Sequence, residues 1–337
     1  MSTADTARIG LMLSGRQPID ELIASVQTAE AAGFQSVWSG DGGGDVFSLL
    51  TAYALNTSRI LLGSGVTVWH RPPIIAAQAA AQLSRISKGR FLFGIGAGPK
   101  DWNEDWWGVD FSRPITRMRE YVEIMRDAMS TKREPLDYPG NVFQIRNFRR
   151  RGNLENPPPI FLGTVGVQMN RLAGRVADGV LFDVCLPPSY LTGAAIPAVE
   201  AGLAKSGRPR DRFTMAAMIP AAVDPDSRAA KRFVKRSILG HLENAYFYPV
   251  WRAAGFEDEA LAAREKLRAH DTAGALDAIS DDFASAIGIC GTADEARAQA
   301  AEWLGLLDRA ILLTPPFGAT DDEVAANRRT LIETFGA

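Results

Sequence analysis

The chain has 337 residues, 46% hydrophobic and 23% charged, which provides apolar material for one large core or two medium ones and speaks against long disorder. A formal net charge of −2 without a long basic run argues against a nucleic-acid partner. Cys185 and Cys290, the only cysteines, are too few for a disulfide framework and lack zinc spacing. The amino-terminal residues are polar and no apolar run is long enough to cross a bilayer, so the expectation is a cytoplasmic protein with no membrane partner and no metal.

Ile9 to Leu13 reads as a first buried strand. Asp20 to Ala32 places Leu22, Ile23, Val26 and Ala29 on one helical face, and Gly33 closes it as a C-cap. Phe34 to Trp38 is a second strand, running into Ser39-Gly-Asp-Gly-Gly-Gly44, and Asp45 caps a helix to Asn56. The third strand spans Ile60 to Leu62 and Val66 to Val68, interrupted by Ser64 and Gly65. A glycine there marks a bulge or a close backbone approach. Trp69, His70 and Arg71 crowd its carboxyl end. Ile74 to Ile86 is an alanine-rich helix, Phe91 to Ile95 a fourth strand, and Pro99 to Ser112 an aromatic and charged loop leading to a helix over Thr116 to Met129.

The stretch 133–157 breaks the rhythm: Tyr138-Pro-Gly-Asn-Val-Phe143 predicts the turn of a short hairpin, and Arg149, Arg150 and Arg151 form a basic patch. Ile160 to Leu162 resumes as strand five, with Gly163-Thr-Val-Gly166 and a helix to Val176 behind it. Gly179 to Phe182 is strand six, Pro197 to Lys205 part of its helix, and Phe213 to Val223 strand seven. Residues 226–282 are mostly helical, longer than one crossover needs, and are expected to cover a pocket. Thr292 with Glu295 has capping-box spacing, Arg309 to Leu313 is strand eight, and Asp321 to Phe335 closes the chain. Eight apolar strands alternating with helices predict an α/β fold, a (β/α)8 TIM barrel in a single domain over 1–337 with insertions near 133–157 and 226–282. A doubly wound sheet is the rival, since periodicity cannot show closure.

Four blocks carry a family resemblance: Ala29-Glu-Ala-Ala-Gly-Phe-Gln-Ser-Val-Trp38 with Asp41; Leu62-Gly-Ser-Gly-Val66 with Arg71-Pro72; Ser87-Lys-Gly-Arg-Phe-Leu-Phe-Gly-Ile-Gly-Ala-Gly98; and Pro159-Ile-Phe-Leu-Gly163 with Arg171-Leu-Ala-Gly-Arg-Val-Ala-Asp-Gly179. Cys290-Gly-Thr-Ala-Asp-Glu-Ala296 adds to them near the end. In this order they resemble the bacterial-luciferase-like superfamily, and within it the branch using the deazaflavin coenzyme F-420, which includes methylenetetrahydromethanopterin reductase. The resemblance implies an oxidoreductase that moves a hydride between F-420 and a small organic substrate, with FMN as the alternative cofactor in a luciferase-like monooxygenase. It also implies a homodimer. One barrel hosts many chemistries, so the substrate stays open.

The resemblance places a non-proline cis peptide at Gly65–Val66, with Ser64, Gly65 and Val66 backing the ring. An ordinary glycine bulge that lets a barrel curve is the plainer alternative. Gly163, Thr164, Val165 and Gly166 imply a phosphate site of backbone N–H groups at a helix start, with the Thr164 hydroxyl added, or else a tight turn. Asp41 is implied near the ring's polar edge and as a proton-handling group, beside its use as a loop cap. Gly42 stands where sugar-phosphate dehydrogenase relatives carry histidine, and Pro99 where they carry glutamate, which argues against glucose 6-phosphate. His70 is the candidate acid–base, although a lone histidine is often structural. Gly96, Gly98 and Asn103 are implied ring contacts with Glu104 close by, and Asp183 points at the mouth. Trp102, Trp106 and Trp107 wall a substrate pocket or pack the loop, Arg175 pairs with Asp178, and Tyr246, Tyr248 and Trp251 line a lid or a helix face. Two other classes stay open: a barrel that keeps coenzyme without turnover, and a hydrolase using Asp41 and Glu104.

Overall fold

Strands buried on both faces need helices on one side and each other on the other, and the chain meets that need by closing its sheet. In a computed structural model describing residues 3–149 and 156–336, the parallel strands β1 (Ile9–Met12), β2 (Ser36–Ser39), β3 (Leu61–Ser64), β4 (Phe91–Gly96), β5 (Ile160–Thr164), β6 (Gly179–Phe182), β7 (Thr214–Val223) and β8 (Arg309–Leu313) pair in chain order. The ring shuts where Ile9 of β1 lies opposite Ala310 of β8. Closure excludes the doubly wound alternative. The crossover helices are α1 (Ile19–Ala31), α2 (Val46–Asn56), α3 (Pro73–Ile86), α4 (Pro114–Ala128), α5 (Val167–Val176), α6 (Ile196–Ser206), α7 (Ser227–Leu239) and α8 (Ala293–Leu306), with α9 (Asp321–Phe335) last. Among the described residues, no helix is long and apolar enough to cross a membrane.

The helix ends follow their local chemistry. Gly33 takes φ +83°, and the Phe34 N–H returns to Ala29 O at 3.0 Å. Asp45 accepts from the Ser48 N–H at 2.8 Å, and Thr292 with Glu295 forms the expected capping box. Thr320 with Glu323 makes a second at α9. The third strand is broken as its sequence suggests: β3 ends at Ser64, Thr67–Val68 resumes beside β4, and the Gly65–Val66 peptide between them is cis. The Ser64 hydroxyl donates to Gly94 O and accepts from Gly94 N–H, both at 2.8 Å, which ties the break to β4.

Within 133–157, Leu136–Pro139 and Gln144–Phe148 form an antiparallel hairpin. Its turn is docked by the fully buried Glu120 of α4, which accepts N–H bonds from Asn141, Val142 and Phe143 at 2.9, 2.9 and 3.0 Å. Arg150 and Arg151 of the basic patch lie outside the described residues. The 226–282 region is helical, with Tyr248–Ala253, Glu257–Arg268, Thr272–Asp277 and Asp281–Ile287 after α7. A strand at Ile289–Gly291, three residues and so too short for periodicity to reveal, pairs in parallel beside the end of β7. Two expectations are corrected. Asp178 pairs with Arg126 (2.8 Å) and Arg208 (3.0 Å) rather than Arg175, because its carboxylate faces α4 and the loop after α6. Tyr248 and Trp251 pack in the core, with Trp251 stacked on Phe247 at 5.4 Å, and so form no lid.

Candidate active site

A cavity of about 730 Å³ opens at the carboxyl ends of the strands, the end of a barrel where loops are free to carry chemistry. The β3 break enters it directly. Val66 fills a seat made by two glycines: a Cβ on Gly96 would stand 2.7 Å from Val66 Cγ2, and one on Gly163 would stand 2.8 Å from Val66 Cγ1. Gly98, at φ +67°, leaves the same kind of room beside Val68. Any larger residue at the seat displaces a β-branched side chain that has little rotamer freedom. Gly65, Val66, Gly96 and Gly98 all line the cavity.

The turn after β5 forms the next part of the wall, through Gly163, Thr164, Val165 and Gly166. No side chain caps α5, whose N-cap is Gly166, so its first-turn N–H groups are left for a ligand. Nothing lies within 4 Å of where a Gly166 Cβ would be, so the approach is open. Thr164 corrects one expectation. Its hydroxyl donates inward to Asn170 Oδ1 at 2.5 Å, so the donors this turn presents to the cavity are backbone N–H groups.

Asp41 reaches the cavity after β2, but its carboxylate is committed. It pairs with Arg71 at 2.6 Å and accepts the Val68 N–H at 2.9 Å, and its side chain is 2% exposed. Arg71 also takes Asp45 at 2.6 Å, so this network ties the β2 loop to the far side of the β3 break. Such a carboxylate positions backbone; it offers no free base. Three other expected residues stand behind the wall. Ser64 is fully buried against Gly94. Asn103 accepts from Trp69 Nε1 at 2.7 Å and donates to the carbonyls of Ala97 (2.8 Å) and Pro99 (2.7 Å), shaping the loop after β4. His70 stacks on Trp107 at 4.3 Å with Nδ1 buried and unpartnered, and burial holds its imidazole below the usual range. It does not join the cavity lining. Trp102 does line it and stacks on Trp106 at 4.8 Å, while Glu104 turns to Lys100 at 3.6 Å.

The opposite wall joins Asp183, expected at the mouth, and Tyr246, expected on a lid or helix face, to His241, which the sequence did not single out. Asp183 follows β6; beside it come His241 and Tyr246, from the segment after α7, with Met218 of β7 and Leu313 of β8. Burial pushes the Asp183 carboxyl above the ordinary carboxylate range, partly offset by the charge of His241, and burial likewise raises the Tyr246 hydroxyl. The lone signal for His241 was its position just past an amphipathic helix that ends in glycine.

A closed barrel with a deep, largely apolar cavity at the carboxyl ends of its strands, seated glycines on one wall and titrating groups on the other, defines a barrel enzyme. Its sequence matches the family described as luciferase-like monooxygenase over residues 1–309, and the chain belongs to that family. It is 34% identical over 283 residues to the 5,10-methylenetetrahydromethanopterin reductase of Archaeoglobus fulgidus, across 82% of this chain and 83% of that one. The coenzyme F-420-dependent tetrahydromethanopterin reductase of Methanopyrus kandleri shares the fold with a TM-score of 0.83 at 23% identity, over 97% of this chain and 99% of that one. The oxygenating constituent of 3,6-diketocamphane monooxygenase from Pseudomonas putida, solved with FMN, has a TM-score of 0.67 at 19% identity, over 98% and 96%.

Proposed function

We propose that the chain is a coenzyme F-420-dependent oxidoreductase acting on a small organic substrate. The observation that carries this reading is the joint placement, in one cavity, of a valine seated on two glycines and an uncapped helix start. The first suits a flat ring and the second a phosphate, the two chemically distinct parts of such a coenzyme. When bound, the coenzyme supplies or accepts a hydride. The chain's own residues do the rest. Val66 backs the ring from the β3 side, the Gly163–Gly166 turn holds the phosphate through N–H groups, and Asp41 with Arg71 fixes the loop that frames the ring edge. Trp102 and Phe111 add apolar surface that excludes water from the reacting face.

Fluorescence titration tests this. F-420 is expected to bind with a micromolar or tighter Kd and FMN at least tenfold more weakly. FMN binding without F-420 binding would replace the proposal with the monooxygenase reading, which the diketocamphane relative's fold keeps in view. We also propose a homodimer, supported by the exposed Leu55 (71%) and Ile75 (53%) on the neighbouring helices α2 and α3. Sedimentation at micromolar concentration checks it, and a monomer would refute it.

A further inference from the structure

In a ring of eight strands β3 stands across from β7, so the ends of β6, β7 and β8 face the Val66 seat from the far side of the cavity. His241 joins that far wall just past α7. A carbonyl oxygen can only accept, so the 2.7 Å contact between His241 Nδ1 and Ser237 O places the proton on Nδ1. Nε2 is then the nitrogen left for the cavity, an acceptor in the neutral ring and a donor in the imidazolium. Phe247 holds the ring edge-on at 5.1 Å and 85°.

Asp183 faces it from the end of β6. Its backbone is pinned by the Thr164 carbonyl (3.0 Å), and Oδ1 accepts the Val184 N–H at 2.8 Å. The interaction between the two is electrostatic: a positive charge on His241 offsets part of the burial of the carboxylate. The other ionisable groups around them are Tyr246 from the turn Ala245–Phe247, Cys185 beyond β6, and Asp101, which acts on Tyr246. Arg236 of α7 also borders the cavity. Its guanidinium, however, donates to Gly318 O and pairs with Glu323 at 3.4 Å, so it is engaged elsewhere.

We propose, resting on the oxidoreductase reading above, that His241 exchanges a proton with the substrate heteroatom while Asp183 positions it and steadies its charge, so that the substrate is a carbonyl compound or neutral imine. In the reducing direction the substrate carbon gains a C–H bond from the hydride, and its π pair moves to oxygen or nitrogen. That atom takes the proton from His241 Nε2, and the neutral ring regains one from solvent. The two electrons leave the reduced deazaflavin and appear in the alcohol or amine. Oxidation reverses each step. This places the proton donor on the wall away from the ring, at a position unrelated to Gly42.

The first test needs no coenzyme. In ¹³Cγ-aspartate NMR spectra the resonance absent from Asp183→Asn identifies Asp183. In His241→Gln its titration midpoint is expected to rise by about one unit, a tenfold change, because an opposing positive charge is removed. An unmoved midpoint in both His241→Gln and His241→Asn overturns the pairing, and use of two variants guards against one that folds poorly. The second test uses protein loaded with chemically reduced F-420, together with cyclohexanone and 1-pyrroline. Wild type is expected to reduce at least one of them. His241→Gln should lower kcat roughly 10²–10³-fold and flatten its pH profile, with coenzyme Kd within about twofold. Asp183→Asn should displace the kcat pH profile by about one unit. Reduction of neither probe, or an unchanged kcat and pH profile in His241→Gln, overturns the assignment. Failure of wild type to bind F-420 removes the F-420 reading instead, and leaves the Asp183–His241 pairing to be decided by the NMR result.

Discussion

Val66 and the two glycines beneath it set the shape of the site by what they lack. At Gly163 an added methyl meets Val66 Cγ1 at 2.8 Å, and at Gly166 it meets nothing within 4 Å. The two substitutions should therefore separate. Gly163→Ala is expected to weaken F-420 binding at least tenfold and to cost about 1–3 kcal/mol of stability through overpacking. Gly166→Ala keeps its N–H and has space, so its stability should stay within about 1 kcal/mol and its coenzyme Kd within tenfold. Fluorescence titration and thermal unfolding of both variants check the contrast, and equal effects would show that the seat does not shape the ring site. At the same scale, the residues easiest to name in advance were those whose type is demanded by backbone, such as Gly65, Gly96 and Gly163. Side chains that turn were harder. Thr164 and Asn103 carry the right donors but spend them on Asn170 and on the Ala97–Pro99 loop, and no spacing rule reveals where a hydroxyl or amide rotates.

Between elements, the turn of the hairpin at Leu136–Pro139 and Gln144–Phe148 is held by the Glu120 carboxylate, beside a Tyr138 hydroxyl bond to Glu123 and the packing of Phe143 on Tyr121. Burial works against the charge of Glu120, but N–H bonds from Phe143, Val142 and Asn141 outweigh it and hold its carboxyl below the usual 4.5. A carboxyl depressed in the folded state contributes stability that is complete above its unfolded value and fades as the pH drops toward its folded one. Glu120→Gln should accordingly lower the unfolding free energy by about 1–3 kcal/mol at pH 7, with the difference from wild type shrinking below about pH 4. Urea melts at pH 7 and pH 3.5 check this; a gap that persists unchanged at pH 3.5 would assign the docking to packing. Elements with a strong repeat were visible from sequence, as the eight apolar runs and the caps at Gly33, Asp45 and Thr292 were. The far wall was legible only in part: Asp183 and Tyr246 were named, but His241 acts from beyond a helix end and neighbours Asp183 across some 58 positions of chain (241 − 183), a proximity created by the pairing of β6 with β7.

For the whole molecule, a ligand that binds only the folded barrel raises its stability by mass action. At a hundredfold excess of F-420 over Kd the gain is about 2.7 kcal/mol, and for a chain of this size each kcal/mol moves Tm by roughly 2–4 °C. A rise of about 5–10 °C is thus expected with F-420, and no comparable rise with FMN at the same concentration. Differential scanning fluorimetry reads both, and a shift with FMN alone would reverse the cofactor assignment.

The cushion under Val66 has a consequence for redesign. It is made from missing side chains, so it has no knob to adjust: every change at positions 96 or 163 pushes outward into the ring face. Tyr246 and Asn244, on the far wall, meet no such restriction. Attempts to retarget this enzyme to new compounds should therefore mutate Asn244 and Tyr246, spare His241 and leave the glycine pair untouched, since the first two shape what is converted and the glycines decide whether anything is held at all.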